Sequence, residues 1–227
     1  SRTYRRSQQF QPLFSYNREH TLQALTLGLG EGLGECEQPV YVDAAFNLNQ
    51  PNLDVLAEVS RAIYNQYALS IGYVSISSGE TEREIVPHSL VNTGERWHVR
   101  AYCRNSQGFR DFVLTRITSV GEAKEPAKDE ESAEKDTAWC EQHTLELVPH
   151  PKATHQRAIE LDYGLSTGET IKVTVRAATA GYLLRRWQVD CSVDASLPPN
   201  EFQLALKQPK LVGQQVDLSI APGSNKK

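Results

Sequence analysis

Between residues 51 and 117 the spacing of apolar residues changes from helical to alternating, so this part of the chain must fold as a helix followed by a sheet. In "PNLDVLAEVSRAIYNQY" (51–67), Leu53, Leu56, Val59 and Ile63 recur at helical spacing and define one buried face. Asn52 stands ahead of them as an N-cap, and Asp54 and Glu58 lie near the start, where the helix dipole favours anions. From residue 69 the period becomes two. Four short runs rich in β-branched and aromatic residues follow: "LSIGYVSIS" (69–77), "REIVPHSLV" (83–91), "RWHVRAYC" (96–103) and "FRDFVLTRI" (109–117). The turns between them, "SSGETE", "NTGE" and "NSQG", each contain glycine. Four strands so evenly spaced predict an antiparallel meander that forms a small barrel or a rolled sheet.

The rest of the chain is organised around this unit. Residues 1–50 read as a connector leading into a short helix. Within them "GLGEGLGE" (28–35) has Gly28 and Gly30 but Leu33 where a phosphate-binding loop needs a third glycine, so it reads as a flexible turn. Residues 121–138 read as a solvated acidic linker. Beyond it, "HTLELVPH", "AIELDYG", "ETIKVTVRA", "EFQLALK" and "QQVDLSI" read as strands and "TAGYLLRRWQV" as a helix. This second unit, 139–221, is therefore expected to be a small α/β sandwich, and the whole chain α+β. The tail 222–227 reads as disordered.

The four cysteines, Cys36, Cys103, Cys140 and Cys191, are scattered singly, which argues against a zinc site or a disulfide framework and for reduced thiols. No apolar run approaches the roughly 20 residues needed to cross a bilayer, and no secretion signal is evident, so a cytoplasmic protein is expected. The chain contains no methionine and begins "SRTYRR", which reads as a piece of a longer protein. Net charge is −4, but it is unevenly spread. Residues 121–142 carry eight acids against three lysines, while residues 83–117 carry six arginines against three acids. The basic middle suits a negatively charged partner.

Strand parity then raises the functional question. In "RWHVRAYC" the set Trp97, Val99, Ala101 faces one way, and Arg96, His98, Arg100 the other. In "IGYVSIS", Tyr73, Ser75 and Ser77 oppose Gly72, Val74 and Ile76. One sheet surface is thus expected to gather arginines, a histidine, a phenol and hydroxyls. His88 follows Pro87 in extended chain and reaches the same surface, with Arg110 and Arg116 at the ends of the next strand. Guanidinium groups bind phosphate bidentately, hydroxyls donate to its oxygens, and aromatic rings stack on bases. The competing reading is a solvated face whose arginines pair with Glu84, Glu95 and Asp111. Catalysis has no support, because no nucleophile elbow or HExxH motif occurs and His88 with His98 are too few for a metal site. No cofactor is expected.

"VPHSLVNTGERWHVRAYC…FRDFVLTRI" resembles the WYL domain of bacterial transcriptional regulators, with Trp97-His98-Val99 where the name-giving Trp-Tyr-Leu stands. That replacement removes a phenol. Together with "TYRRSQQFQPLF" and "LELVPHP…IELDYG…VRAATAGYLLRRWQVD", it is similar to the repressor subgroup associated with BREX and CBASS phage-defence operons. The resemblance covers nearly the whole chain. It implies an Sm-like, SH3-type barrel for residues 51–120 and a C-terminal domain, called WCX, that builds a homodimer. It further implies a winged helix ahead of Ser1 that binds operator DNA. The pocket it implies takes a nucleic-acid or nucleotide effector at Tyr73, Ser75, His88, Arg96 and Arg116 or Arg110, with His98 and Arg100 on the same stripe. Two other roles remain open: a structural dimerisation module without effector, and an Sm-like protein that binds RNA directly.

Overall fold

The computed structural model of the protein describes residues 49–121 and 125–224. The connector, the glycine turn and Cys36 lie outside the described residues. Helix α1, Leu53–Asn65, opens where expected: the Asn52 side chain accepts from the Asp54 N–H at 2.8 Å. Its buried face is Val55, Val59 and Ala62, flanked by partly buried Leu56 and Ile63, and Leu53 points to solvent. Gln66, in the left-handed region at φ 54°, ends the helix by returning its N–H to Ala62.

Five antiparallel strands follow: β1 (Leu69–Ser75), β2 (Gly79–Asn92), β3 (Trp97–Cys103), β4 (Gly108–Val113) and β5 (Ile117–Gly121). Their order is β4-β3-β2-β1-β5, and β4 and β5 form the two edges, so the sheet is not a closed barrel. It does curl. β1 and β4 are not neighbours, yet the Tyr73 hydroxyl accepts the Val113 N–H at 3.2 Å across the core. The fourth expected strand is split by a tight turn at Leu114–Arg116, which starts β5 in a new direction. α1 packs on the sheet around a core of Val59, Leu69, Ile71, Ile85, Val99, Ala101 and Leu114.

Register corrects the expected parity of β1. Leu69 pairs with Ile85, and Ile85 with Cys103, so Leu69, Ile71 and Tyr73 share the core face with Val99 and Ala101. Val74 and Ile76 are exposed. β2 also carries one extra residue: Pro87 pairs with Ala101 and Ser89 with Arg100, leaving His88 as a bulge.

The acidic segment is not a solvated linker. It forms tight turns at Asp129–Glu131 and Ala133–Lys135, then the short helix α2, Thr137–Cys140. Glu131 and Asp136 are buried, at 2% and 1% exposure. A buried carboxylate needs a compensating cation, and β3 and the residue that follows it supply two, described below.

The C-terminal part holds β6 (Gln142–Pro149), α3 (Gln156–Asp162), β7 (Ile171–Arg176), α4 (Ala180–Arg186), β8 (Val189–Asp190), β9 (Leu204–Leu206) and α5 (Pro209–Val212). The sheet order is β7-β6-β9-β8, with β8 and β9 parallel. Two expected strands are corrected. "AIELDYG" is the helix α3, and "QQVDLSI" forms turns whose Val216 inserts into the core. Residues 222–224 of the expected disordered tail are packed: the Pro222 carbonyl accepts from the Cys191 N–H beside buried Ala221. Inside this unit His150 and Asp190, both buried, are joined at 3.1 Å. Cys191 is buried and its thiol pushed up to about 12 by that burial, with the Asp190 charge adding to it. Cys103 is buried as well, whereas Cys140 is exposed, and all three are free thiols.

Candidate functional site: two adjoining hollows lined by arginine

The cationic residues of the first unit divide by what already holds them. Arg100, in the middle of β3, is buried. Its Nε and Nη2 donate to the two oxygens of Asp136 at 2.7 and 2.9 Å, a bidentate pair, and its Nη1 donates to Asp111 at 3.3 Å. Burial alone would raise the Asp136 carboxyl, but Arg100, the Trp139 N–H and His88 outweigh it and hold the group below the ordinary carboxylate value. Asp136 also caps α2 through that Trp139 N–H. Arg104 is held in the same manner by Glu131 at 2.7 and 2.9 Å, with Glu84 and Glu125 completing the cluster.

His88 joins this pinned group. Its Nε2 lies 3.2 Å from Asp136 and its Nδ1 3.0 Å from the Ser89 hydroxyl, and its ring packs edge-on against Trp139 and Phe109. It lines neither hollow described next.

The first hollow, about 530 Å³, opens between the end of β1 and the edge strand β4. Tyr73, Ser75, Arg100 and Arg110 line it, as expected, together with Arg83, Ser77, Ser78 and Ser106. Among the described residues Arg110 donates only to the Ser106 hydroxyl, at 2.7 Å, and Arg83 only to Thr81, at 3.2 Å. Neither has a carboxylate partner among the described residues. Phe109 and Phe112 supply aromatic walls.

The second hollow, about 220 Å³, adjoins it and shares Tyr73, Asp111 and Tyr182. Arg96, His98 and Arg116 line it, along with Arg185 from α4. Arg116 has no carboxylate partner among the described residues, and Arg96 has only Glu95, at 3.9 Å. Burial pushes the His98 imidazole below its ordinary value; its ring lies 4.9 Å from Tyr182, and its buried Nδ1 has no partner. The Tyr182 hydroxyl donates to Asp111 at 3.2 Å, and burial with the nearby Asp111 charge raises its pKa, so it stays protonated.

Seven of the eight expected residues therefore line one or other hollow, and His88 stands apart. Strand parity had missed Arg83, which follows from the β1–β2 hairpin register, where Arg83 pairs with Ile71. Arg185 and Tyr182 arrive by tertiary packing alone and leave no local signal. Among the described residues no cluster of histidine, cysteine and carboxylate groups could hold a metal ion.

Comparison with known proteins places this geometry. Residues 54–121 match the WYL domain, and residues 142–212 match the C-terminal dimerization domain of the BrxR transcriptional regulator, so sheet and C-terminal unit together define a WYL-type transcriptional regulator. A protein of Escherichia coli strain KTE188, named DNA-binding transcriptional repressor CapW, is 34% identical over 91% of this chain and 71% of its own length. The Pseudomonas aeruginosa protein of the same name is 39% identical over 69% of this chain, which spans about half of that relative (52%). The chain belongs to the CapW family of transcriptional repressors. Among solved structures, the proteasome accessory factor B/C of Arthrobacter aurescens is similar at 20% identity over 74% of this chain and 27% of that one, with a TM-score of 0.34, too slight a likeness to bear on the fold.

Proposed function

We propose that these residues form the effector-sensing and dimerising part of a cytoplasmic repressor of a phage-defence operon, and that the two hollows together receive a nucleic-acid or nucleotide effector. What supports this most is the set of guanidinium groups without firm partners. Arg83, Arg110, Arg96 and Arg116 line adjoining hollows beside hydroxyls and aromatic rings, while the same fold pins Arg100 and Arg104 with buried carboxylates. A fold that can satisfy its arginines so completely in one place leaves these four for an external anion. Phosphodiester oxygens suit the guanidinium forks, and the partly exposed Phe109 ring suits base stacking.

The C-terminal unit pairs two copies, a reading supported by its match to a dimerization domain, and a winged helix ahead of the WYL domain reads the operator, for which the relatives' name supports the DNA-binding part. Effector binding shifts the dimer between two arrangements and so changes operator affinity. The protein acts as a regulator, not as an enzyme.

Fluorescence anisotropy with a short labelled single-stranded oligothymidylate tests the sensing step. Arg110→Gln and Arg116→Gln should each weaken binding about tenfold, the equivalent of one charge-assisted contact, and flatten the salt dependence by about one unit of slope. Equal affinity for wild type and both variants, or indifference to salt, counts against an effector in these hollows.

A further inference from the structure

The second hollow contains an anion of its own. Glu95, in the turn between β2 and β3, places Oε1 3.9 Å from Arg185 Nε and Oε2 3.9 Å from Arg96 Nη2. Both distances exceed hydrogen-bond reach. The carboxylate lies between two guanidiniums that belong to different domains, and it bonds to neither. Asp136, by contrast, closes on Arg100 at 2.7 and 2.9 Å. Arg116 is a third guanidinium on the same hollow, and the other carboxylate there, Asp111, is already engaged by Arg100 and Tyr182. Three cations thus surround a space larger than a carboxylate fills.

The turn that carries Glu95 is stiff. Thr93 and Arg96 exchange hydrogen bonds through their backbones and the Thr93 hydroxyl, and Asn92 accepts the Gly94 N–H at 2.8 Å. Gly94 has φ +85°, and a Cβ there would collide with the Arg186 side chain. Successive arginines of α4 therefore straddle this turn: Arg186 lies across Gly94 while Arg185 reaches toward Glu95.

We propose that Arg185 is a phosphate-binding residue contributed by the C-terminal unit, and that Glu95 is a tethered stand-in for the effector's phosphate, displaced when the effector binds. An exposed ion pair of this kind contributes little to stability, so displacement costs little. A phosphate carries more charge and more acceptor oxygens than a carboxylate, and it can close on Arg96, Arg116 and Arg185 together. Effector binding then exchanges a weak contact between the two domains for a strong one, which tightens α4 against the β2–β3 turn. Rejection of weakly charged ligands follows from the same residue, because a ligand must outcompete a carboxylate that is always present.

The inference rests on the reading of the hollows as an anion receptor, but it is tested separately from the nucleic-acid part. Isothermal titration of this chain with inorganic pyrophosphate should show Glu95→Gln binding about two- to fivefold more tightly than wild type, the scale of one exposed charge pair removed. Arg185→Gln should bind more weakly by a similar factor. Both side chains are about half exposed, so melting temperatures should stay at the wild-type value and serve as the folding control. Pyrophosphate affinity in Glu95→Gln no greater than in wild type, or unchanged in Arg185→Gln, overturns the proposal. If pyrophosphate behaves as expected while oligothymidylate binds no more tightly than pyrophosphate, the phosphate site stands and the nucleic-acid effector falls.

Discussion

Two regions of one small sheet treat the same side chain in opposite ways. Arg100, in the middle of β3, and Arg104, just past its end, both lie under the segment 125–136 and are saturated by carboxylates from it and from neighbouring strands. Arg83 in the β1–β2 hairpin, Arg110 on the edge strand β4, and Arg96 and Arg116 beside strand ends meet hydroxyls, a distant carboxylate or nothing charged among the described residues. The difference lies in desolvation. A cation under a second layer of protein must be neutralised in place, whereas one lining an open hollow keeps water until a ligand replaces it.

The contrast breaks most sharply at Asp136. Asp136→Ala leaves Arg100 buried without its bidentate partner and uncaps α2, and should destabilise the protein by about 3–5 kcal/mol in urea unfolding. A loss under about 1 kcal/mol would mean that Arg100 is solvated after all.

Acid sharpens the contrast at a smaller scale. Burial holds the His88 and His98 imidazoles below their ordinary value near 6.5, against which Asp136 and Asp111 respectively pull only in part. The unfolded chain therefore takes up protons that the folded chain refuses. Stability should be full above pH 6.5 and fall as pH drops through that value toward the folded pKa of each ring. The carboxylates of Asp136 and Glu131, held low by Arg100 and Arg104 despite their burial, add a second loss only below about pH 4. Thermal melts across pH 5–7 should show the first slope reduced in His98→Gln, whose wild-type ring has an unpartnered nitrogen.

The open arginines should show the smallest stability effect of all. Arg83→Gln and Arg110→Gln should change unfolding free energy by no more than about 0.5 kcal/mol. A larger loss would place them with Arg100 as structural cations.

How much of this was legible in the sequence follows from where the decisive contacts lie. The helix 53–65 and the meander were readable because local periodicity and capping fix them. Which face of β1 is buried was not, since Ile71 with Tyr73 and Val74 with Ile76 are equally apolar, and only pairing with Ile85 decides. Residues 158–164 misled for a related reason. Ile159, Leu161 and Tyr163 alternate like a strand, yet only Ile159 is buried, and the segment coils as α3. "QQVDLSI" shows the same accidental alternation. The acidic segment looked soluble because charge counting cannot see Arg100 and Arg104 waiting beneath it. In the candidate site, the arginines of the meander were visible from composition, while Arg185 and Tyr182 come from residues far along the chain.

Asp136 also has a mechanical consequence. One carboxylate fastens the strand, the bulged histidine and the start of α2, so the segment leading into the C-terminal unit is clamped onto the sheet, and Tyr182 of α4 adds a second tie through Asp111. At the β2–β3 turn, by contrast, α4 is met by an ion pair too long to be a hydrogen bond. The grip on α4 is thus firm at Tyr182 and loose at Arg185, within one turn of the same helix.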